Sequence, residues 1–213
     1  GSYDDENGMK YIQKYASIYG LDQKSGVEIV EKTPSIATQY PVMAAIGQSN
    51  NNYTTVQLAR YVTAVANEGT VYQYTLLNRL EDSDGNVLQT FEPQVRNQID
   101  VLDTEEWNAI HSGMRMVVEN TKEFDGFPIE AAGKTGTAQQ NLKRPNHALF
   151  VGYAPYDDPE ISIATRIAYG YTSHNAAKLA RNVFAYYFNV ENEDELLNGQ
   201  AANGNSSSNE ISD

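Results

Sequence analysis

Apolar positions along this chain recur with two different periods. Met9, Ile12, Ala16 and Tyr19 are spaced i, i+3, i+7 and i+10, one face of a helix, and Gly20 stops the run. A core-packed helix is therefore expected over Gly8 to Tyr19. Leu58, Val62 and Val65 repeat the pattern between a cap at Thr54 or Thr55 and a stop at Gly69. Asp103 with Glu106 forms a capping box ahead of a stripe of Trp107, Ile110, Met114 and Val117. A last helix opens at Ser173 or Asn175 and carries Ala176, Leu179, Ala180, Val183 and Tyr187.

Elsewhere the period falls to two or the apolar run is short. The stretches around Gly133 to Gln139, Ala148 to Ala154 and Glu160 to Ile167 read as strands, joined by turns at Leu142 to Pro145 and Pro155 to Pro159. Three strands with short connections make an antiparallel meander. Tyr72 to Leu80 and Val87 to Phe91 are expected to form a hairpin around Asp84-Gly85. Leu21 to Pro41 reads as irregular with short extended pieces such as Val27 to Val30, and Asn120 to Pro128 as a loop. The fold class expected is α+β, an antiparallel sheet flanked by helices.

The 213 residues suit one domain with a substantial core. A formal net charge of -13 argues against a nucleic-acid surface, which needs clustered Lys and Arg. The absence of cysteine rules out disulfides and thiolate chemistry, and His111, His147 and His174 are too scattered for a zinc site, so no metal or cofactor is expected. His111 reads as a core or surface histidine. No apolar run approaches 18 residues. Gly1-Ser2 reads as a cloning scar, and with no initial Met the chain is expected to be a piece of something longer, with its domain over residues 3–190. From Glu191 to Asp213 Asn, Ser, Gly, Glu and Asp dominate, with Leu196, Leu197 and Ile211 the main apolar residues, which predicts a disordered acidic tail.

The stretch richest in candidate chemistry is Gly133-Lys134-Thr135-Gly136-Thr137-Ala138-Gln139. Strand parity puts Thr135 and Thr137 on one face and Lys134 on the other. Gly133 and Gly136 remove bulk, so another backbone or a ligand can approach. Two hydroxyls on one face, with a cation able to curl round the edge, suit a carboxylate-bearing ligand lying along the strand. A phosphate loop fails on two counts: Pro128 stands where its first glycine belongs, and Gly136, Asn141 and Pro145 break the helix that must follow.

The same run resembles the Lys-Thr-Gly box of the penicillin-binding proteins. Ile46-Gly47-Gln48 with Tyr53 to Ala59, Ala148 to Pro155, and Tyr19 to Val27 are similar to further segments of that family in order and spacing. The likeness spans roughly residues 9 to 188 and is strongest to the class B enzymes, monofunctional D,D-transpeptidases that cross-link peptidoglycan. The family's Ser-x-x-Lys is missing from these residues. Ser49-Asn50-Asn51, Ser173-His174-Asn175 and Ser207-Ser208-Asn209 match Ser-x-Asn by letters, but out of the family's order.

The resemblance implies a parent serine that attacks a D-Ala-D-Ala carbonyl and is then relieved by an amine. Lys134 would supply positive potential, Thr135, Gly136 and Thr137 would hold the substrate carboxylate, and the Thr137 N–H would be half of an oxyanion hole. It implies stem peptide and β-lactams as ligands of the parent, elongation or division machinery as partners, and an anchored position on the outer face of a bacterial membrane. This chain alone would be inactive. A penicillin-sensing receptor or a non-catalytic homologue is the alternative; a serine β-lactamase matches the flanking segments poorly.

Overall fold

The computed structural model describes residues 4–192 and Leu196. Gly1-Ser2 and, apart from Glu191, Asn192 and Leu196, the tail expected to be disordered lie outside them. At the centre is a three-stranded antiparallel sheet in the order β5-β6-β7, with β5 at Ala132–Ala138, β6 at His147–Ala154 and β7 at Ile161–Ile167. It is the meander expected from the alternating runs.

Residues directly opposite in a ladder share a face. Gly133, Thr135 and Thr137 of β5 therefore lie with Gly152, Phe150 and Ala148 of β6, and Ile163, Thr165 and Ile167 of β7. This face is covered by α5 (Ser173–Tyr187), which contributes Ala176, Ala177, Ala180 and Phe184 to a core containing Phe150 and Phe124. Ala132, Lys134, Gly136 and Ala138 lie on the other face with Tyr153, Val151, Leu149 and His147. There α3 (Thr55–Ala66) packs Val62 and Ala66 against Ala132 and Tyr153. A further cluster of Ala64, Val71, Ile99 and Trp107 joins α3 to α4 (Thr104–Glu119).

The capping boxes form as the sequence predicts. Thr54 and Gln57 cap α3 reciprocally, and Asp103 and Glu106 cap α4. Gly69 follows α3 at φ +112°, where a Cβ would come within 2.7 Å of the Ile99 carbonyl oxygen. Arg60, 1% exposed, donates through its guanidinium to the carbonyls of Gly20, Gln23 and Lys24, pinning the loop at residues 20–24 onto α3. The Glu31 carboxylate extends this brace, accepting from the Ser25 N–H at 2.8 Å and the Thr54 hydroxyl at 3.0 Å.

Several expectations need correcting. The first helix, α1 (Asp5–Ile18), starts earlier than Gly8 because Asp4 accepts from the Glu6 and Asn7 amides; its stripe is only half-buried. Residues 72–80 are not one strand. β1 (Thr70–Gln73) pairs with β4 (Gln94–Gln98), and only β2 (Arg79–Glu81) forms the hairpin with β3 (Val87–Thr90). The chain breaks between them because the Tyr74 amide donates to Ser25 and the Glu28 carboxylate takes the Leu76 amide. Val27 to Val30 forms no strand, and a short helix, α2 (Pro41–Ala45), was not anticipated. Val118, rather than Val117, is the buried valine of α4. On α5 the expected Leu179, Val183 and Tyr187 are exposed.

Candidate active site

β5 is an edge strand. One side bonds β6, and no strand among the described residues pairs with the other. Ala132 and Gly133 are buried beside α4, whereas Lys134 and Thr137 are exposed and Thr135 and Gly136 half-exposed. The reactive letters of the run thus stand on the accessible part of the strand.

The parity expected from sequence holds: Lys134 projects on the α3 face, Thr135 and Thr137 on the α5 face. Lys134 nevertheless reaches the strand edge, because its Nζ donates to the Thr135 carbonyl at 2.8 Å. That carbonyl therefore points to the open side. By the two-residue period the N–H and C=O of Thr137 share its direction. The edge thus offers, in order, an ammonium, a hydroxyl, an outward peptide group and a second hydroxyl with its own peptide group. Such an edge can bind an extended peptide as an added strand and hold a carboxylate at its end.

The two glycines differ in role. A Cβ on Gly133 would collide with the Phe150 ring and lie 2.8 Å from the Val151 carbonyl, so this glycine makes room for a core ring and not for a ligand. A Cβ on Gly136 would meet only Leu149, at 3.5 Å.

The remaining candidates lie elsewhere in the fold. His111 Nε2 is 2.7 Å from the Val65 carbonyl and its ring sits edge-on to Tyr153, a packing role. His174 pairs with Glu123 at 2.9 Å at the start of α5. Ser49 and Asn50 bond back to Gln39 and Thr38, and Asn51 to Ala37, bracing a loop. Asn175 donates to Gly170, again within a turn. Ser207-Ser208-Asn209 lies outside the described residues. His147, which no motif singled out, stands directly across from Ala138, one residue beyond Thr137.

Comparison with known proteins matches residues 3–185 to the family model described as the penicillin binding protein transpeptidase domain. The chain is 30% identical over 218 residues to the peptidoglycan D,D-transpeptidase MrdA of Haemophilus influenzae, covering 85% of this chain and 33% of that protein. It is 26% identical over 226 residues to penicillin-binding protein 2A of Bacillus subtilis, covering 93% of this chain and 31% of that protein. The chain therefore spans about a third of the length of these curated relatives. Among solved structures, penicillin-binding protein 2B of Streptococcus pneumoniae superposes with a TM-score of 0.77 at 24% identity, over 90% of this chain and 34% of that one. Penicillin-binding protein A of M. tuberculosis, solved as an imipenem acyl-enzyme complex, gives 0.72 at 20% identity, over 85% and 41%. Both share the fold.

Proposed function

This chain belongs to the penicillin-binding protein transpeptidase family, and from that premise we propose that it forms the C-terminal part of a peptidoglycan-cross-linking D,D-transpeptidase domain. The domain is carried by residues 3–190. The observation that carries the reading is the open edge of β5, with Lys134 lying on an outward carbonyl and Thr135 and Thr137 beside it.

In this reading a serine supplied by sequence outside these residues attacks the penultimate D-Ala carbonyl of a stem peptide. The terminal D-Ala leaves as an amine, and an amine of a neighbouring stem peptide then takes the acyl group from the serine. Lys134 attracts the substrate carboxylate, the Thr135 and Thr137 hydroxyls donate to it, and Gly136, on the Lys134 face, leaves that side of the strand free of a side chain. The Thr137 N–H stabilises the oxyanion as it develops, a contact whose loss costs on the order of 10² to 10³ in rate. A β-lactam occupies the same edge. The whole protein works at the outer face of a bacterial membrane with elongation or division machinery, held by an anchor outside these residues; no described helix is long and apolar enough to cross a membrane.

With no Ser-x-x-Lys in its 213 residues, the isolated chain is inactive. A non-catalytic homologue would also lack that motif, and one experiment separates the two. A fluorescent penicillin should label the longer protein covalently and leave this chain unlabelled. Labelling of the chain would overturn its inactivity, and an unlabelled longer protein would overturn the transpeptidase.

A further inference from the structure

Two connections meet at the end of β5. Residues 139–146 link β5 to β6, and residues 168–172 link β7 to α5. His147 lies at their junction and is 6% exposed. Its Nδ1 accepts the Tyr169 N–H at 3.0 Å, and since a backbone amide can only donate, Nδ1 carries no proton. The ring proton is therefore on Nε2, which donates to Gln140 Oε1 at 2.8 Å. The Arg166 guanidinium of β7, also a donor only, lies farther from that nitrogen at 3.3 Å; with the Nε2 proton directed to Gln140 it is a charged neighbour and not a hydrogen-bond partner.

Tyr169 is held from two sides. Its ring lies 4.9 Å from the imidazole, and its phenol oxygen accepts from Arg144 at 2.8 Å. One imidazole thus ties Gln140 and, through Tyr169, Arg144 of the first connection to the backbone of the second. The clamped segment is strained: Tyr169 and Tyr171 have φ of +55° and +66°, a region bulky residues avoid. A Tyr171 N–H bond to the Asn146 carbonyl at 3.1 Å joins the connections again.

We propose that neutral, Nε2-protonated His147 is a positioning residue, clamping the two connections so that the end of β5 presents the Thr137 peptide group at a fixed angle. This rests on the reading of β5 as the substrate edge. The groups facing the imidazole are Arg166 from β7, Tyr169 from the second connection, and Arg144 behind Tyr169; Ala138 of β5 brings no titratable group. A proton on Nδ1 would confront the Tyr169 N–H donor and add positive charge beside Arg166. Burial, and then Arg166, hold the His147 pKa below the ordinary histidine value. The clamp therefore survives mild acid and releases below it.

The test is hydrogen exchange, read by mass spectrometry, of peptides spanning residues 139–147 and 168–172 in the longer protein. It runs from about pH 7.5 to about pH 4.5, corrected for intrinsic rates, with fluorescent-penicillin labelling in parallel. Wild type should exchange roughly tenfold faster at the acid end, the loss of one buried hydrogen bond. His147→Asn places an amide oxygen where Nδ1 was and does not titrate in this range, so it should exchange slowly throughout. His147→Phe should exchange fast throughout. The labelling rate of the Asn variant relative to wild type should rise as pH falls. Wild-type exchange indifferent to pH, or an Asn variant as fast as Phe, would overturn the clamp. If nothing labels, the transpeptidase reading fails while the exchange data still judge the clamp.

Discussion

Placing a methyl group on Gly133 distinguishes a glycine that serves the core from one that serves a ligand. The new Cβ would fall on Phe150 Cζ, and 2.8 Å from both Cε2 and the Val151 carbonyl oxygen. Comfortable carbon contacts are about 3.5–4.0 Å, so the ring or the ladder must give by close to 1 Å. The ring has nowhere to go. A Cβ on Gly152, opposite Gly133 in the ladder, would lie 2.7 Å from Cε1, and Phe124 stacks on Phe150 with centroids 5.7 Å apart. Overpacking of this kind costs about 1–3 kcal/mol, offset by about 0.4–1 kcal/mol from a less flexible unfolded chain. A net loss of about 1–2 kcal/mol follows, which for a domain of this size lowers Tm by about 2–8 °C.

Thermal melts of Gly133→Ala, Gly136→Ala, Phe150→Leu and the Gly133→Ala/Phe150→Leu pair provide the assay. Gly136→Ala should be neutral or slightly stabilising, since its Cβ meets Leu149 at an ordinary 3.5 Å. Phe150→Leu should cost less in the Gly133→Ala background than alone, because the leucine vacates the space the new methyl needs. Unchanged Tm in Gly133→Ala with loss of penicillin labelling in the longer protein would refute the reasoning and return this glycine to the ligand.

Three further outcomes are expected. Arg60→Met removes charge-assisted bonds to three carbonyls at a buried position and should destabilise by about 3 kcal/mol, read from denaturant midpoints. Thr137→Val in the longer protein keeps the backbone N–H and removes the hydroxyl; labelling should slow by about tenfold with Tm unchanged, and a loss near 10³ would mean the side chain does more than hold a carboxylate. His147 has a lowered native pKa, so between that value and the ordinary one of about 6.5 the unfolded chain binds more protons. Stability therefore rises with pH across that window and falls on acidification through it. Denaturant midpoints across that range should slope in wild type and lose that component of the slope in His147→Asn.

What the sequence disclosed followed the strength of local signals. The caps at Thr54 and Asp103 and the meander strands are specified by residues next to one another, and they formed as expected. β4 was illegible because Gln94 to Gln98 is exposed throughout and has no apolar alternation; only its distant pairing with β1 makes it a strand. The buried face of α5 was only partly legible, since Ala176 and Ala180 are buried as expected while Leu179, Val183 and Tyr187 are exposed. Hydrophobicity selects Leu179 and Val183, but a helix lying close on a sheet selects small residues, and Ala176, Ala177 and Ala180 took the contact. In the candidate site, parity placed Lys134, Thr135 and Thr137 correctly, whereas the role of His147 depends on a backbone amide 22 residues away.

The position of Lys134 has a consequence for solubility. An unpaired strand edge is a template for any extended chain, a second copy of itself included, and copies that pair edge to edge associate. The ammonium on the Thr135 carbonyl occupies the acceptor that an incoming N–H would need, and it puts a hydrated charge in the plane where that strand would dock. A neutral strand offers the lysine nothing in exchange, whereas a chain ending in a carboxylate offers it a better partner and uncovers the carbonyl on arrival. The edge is thereby closed to its own kind and opens to an acid.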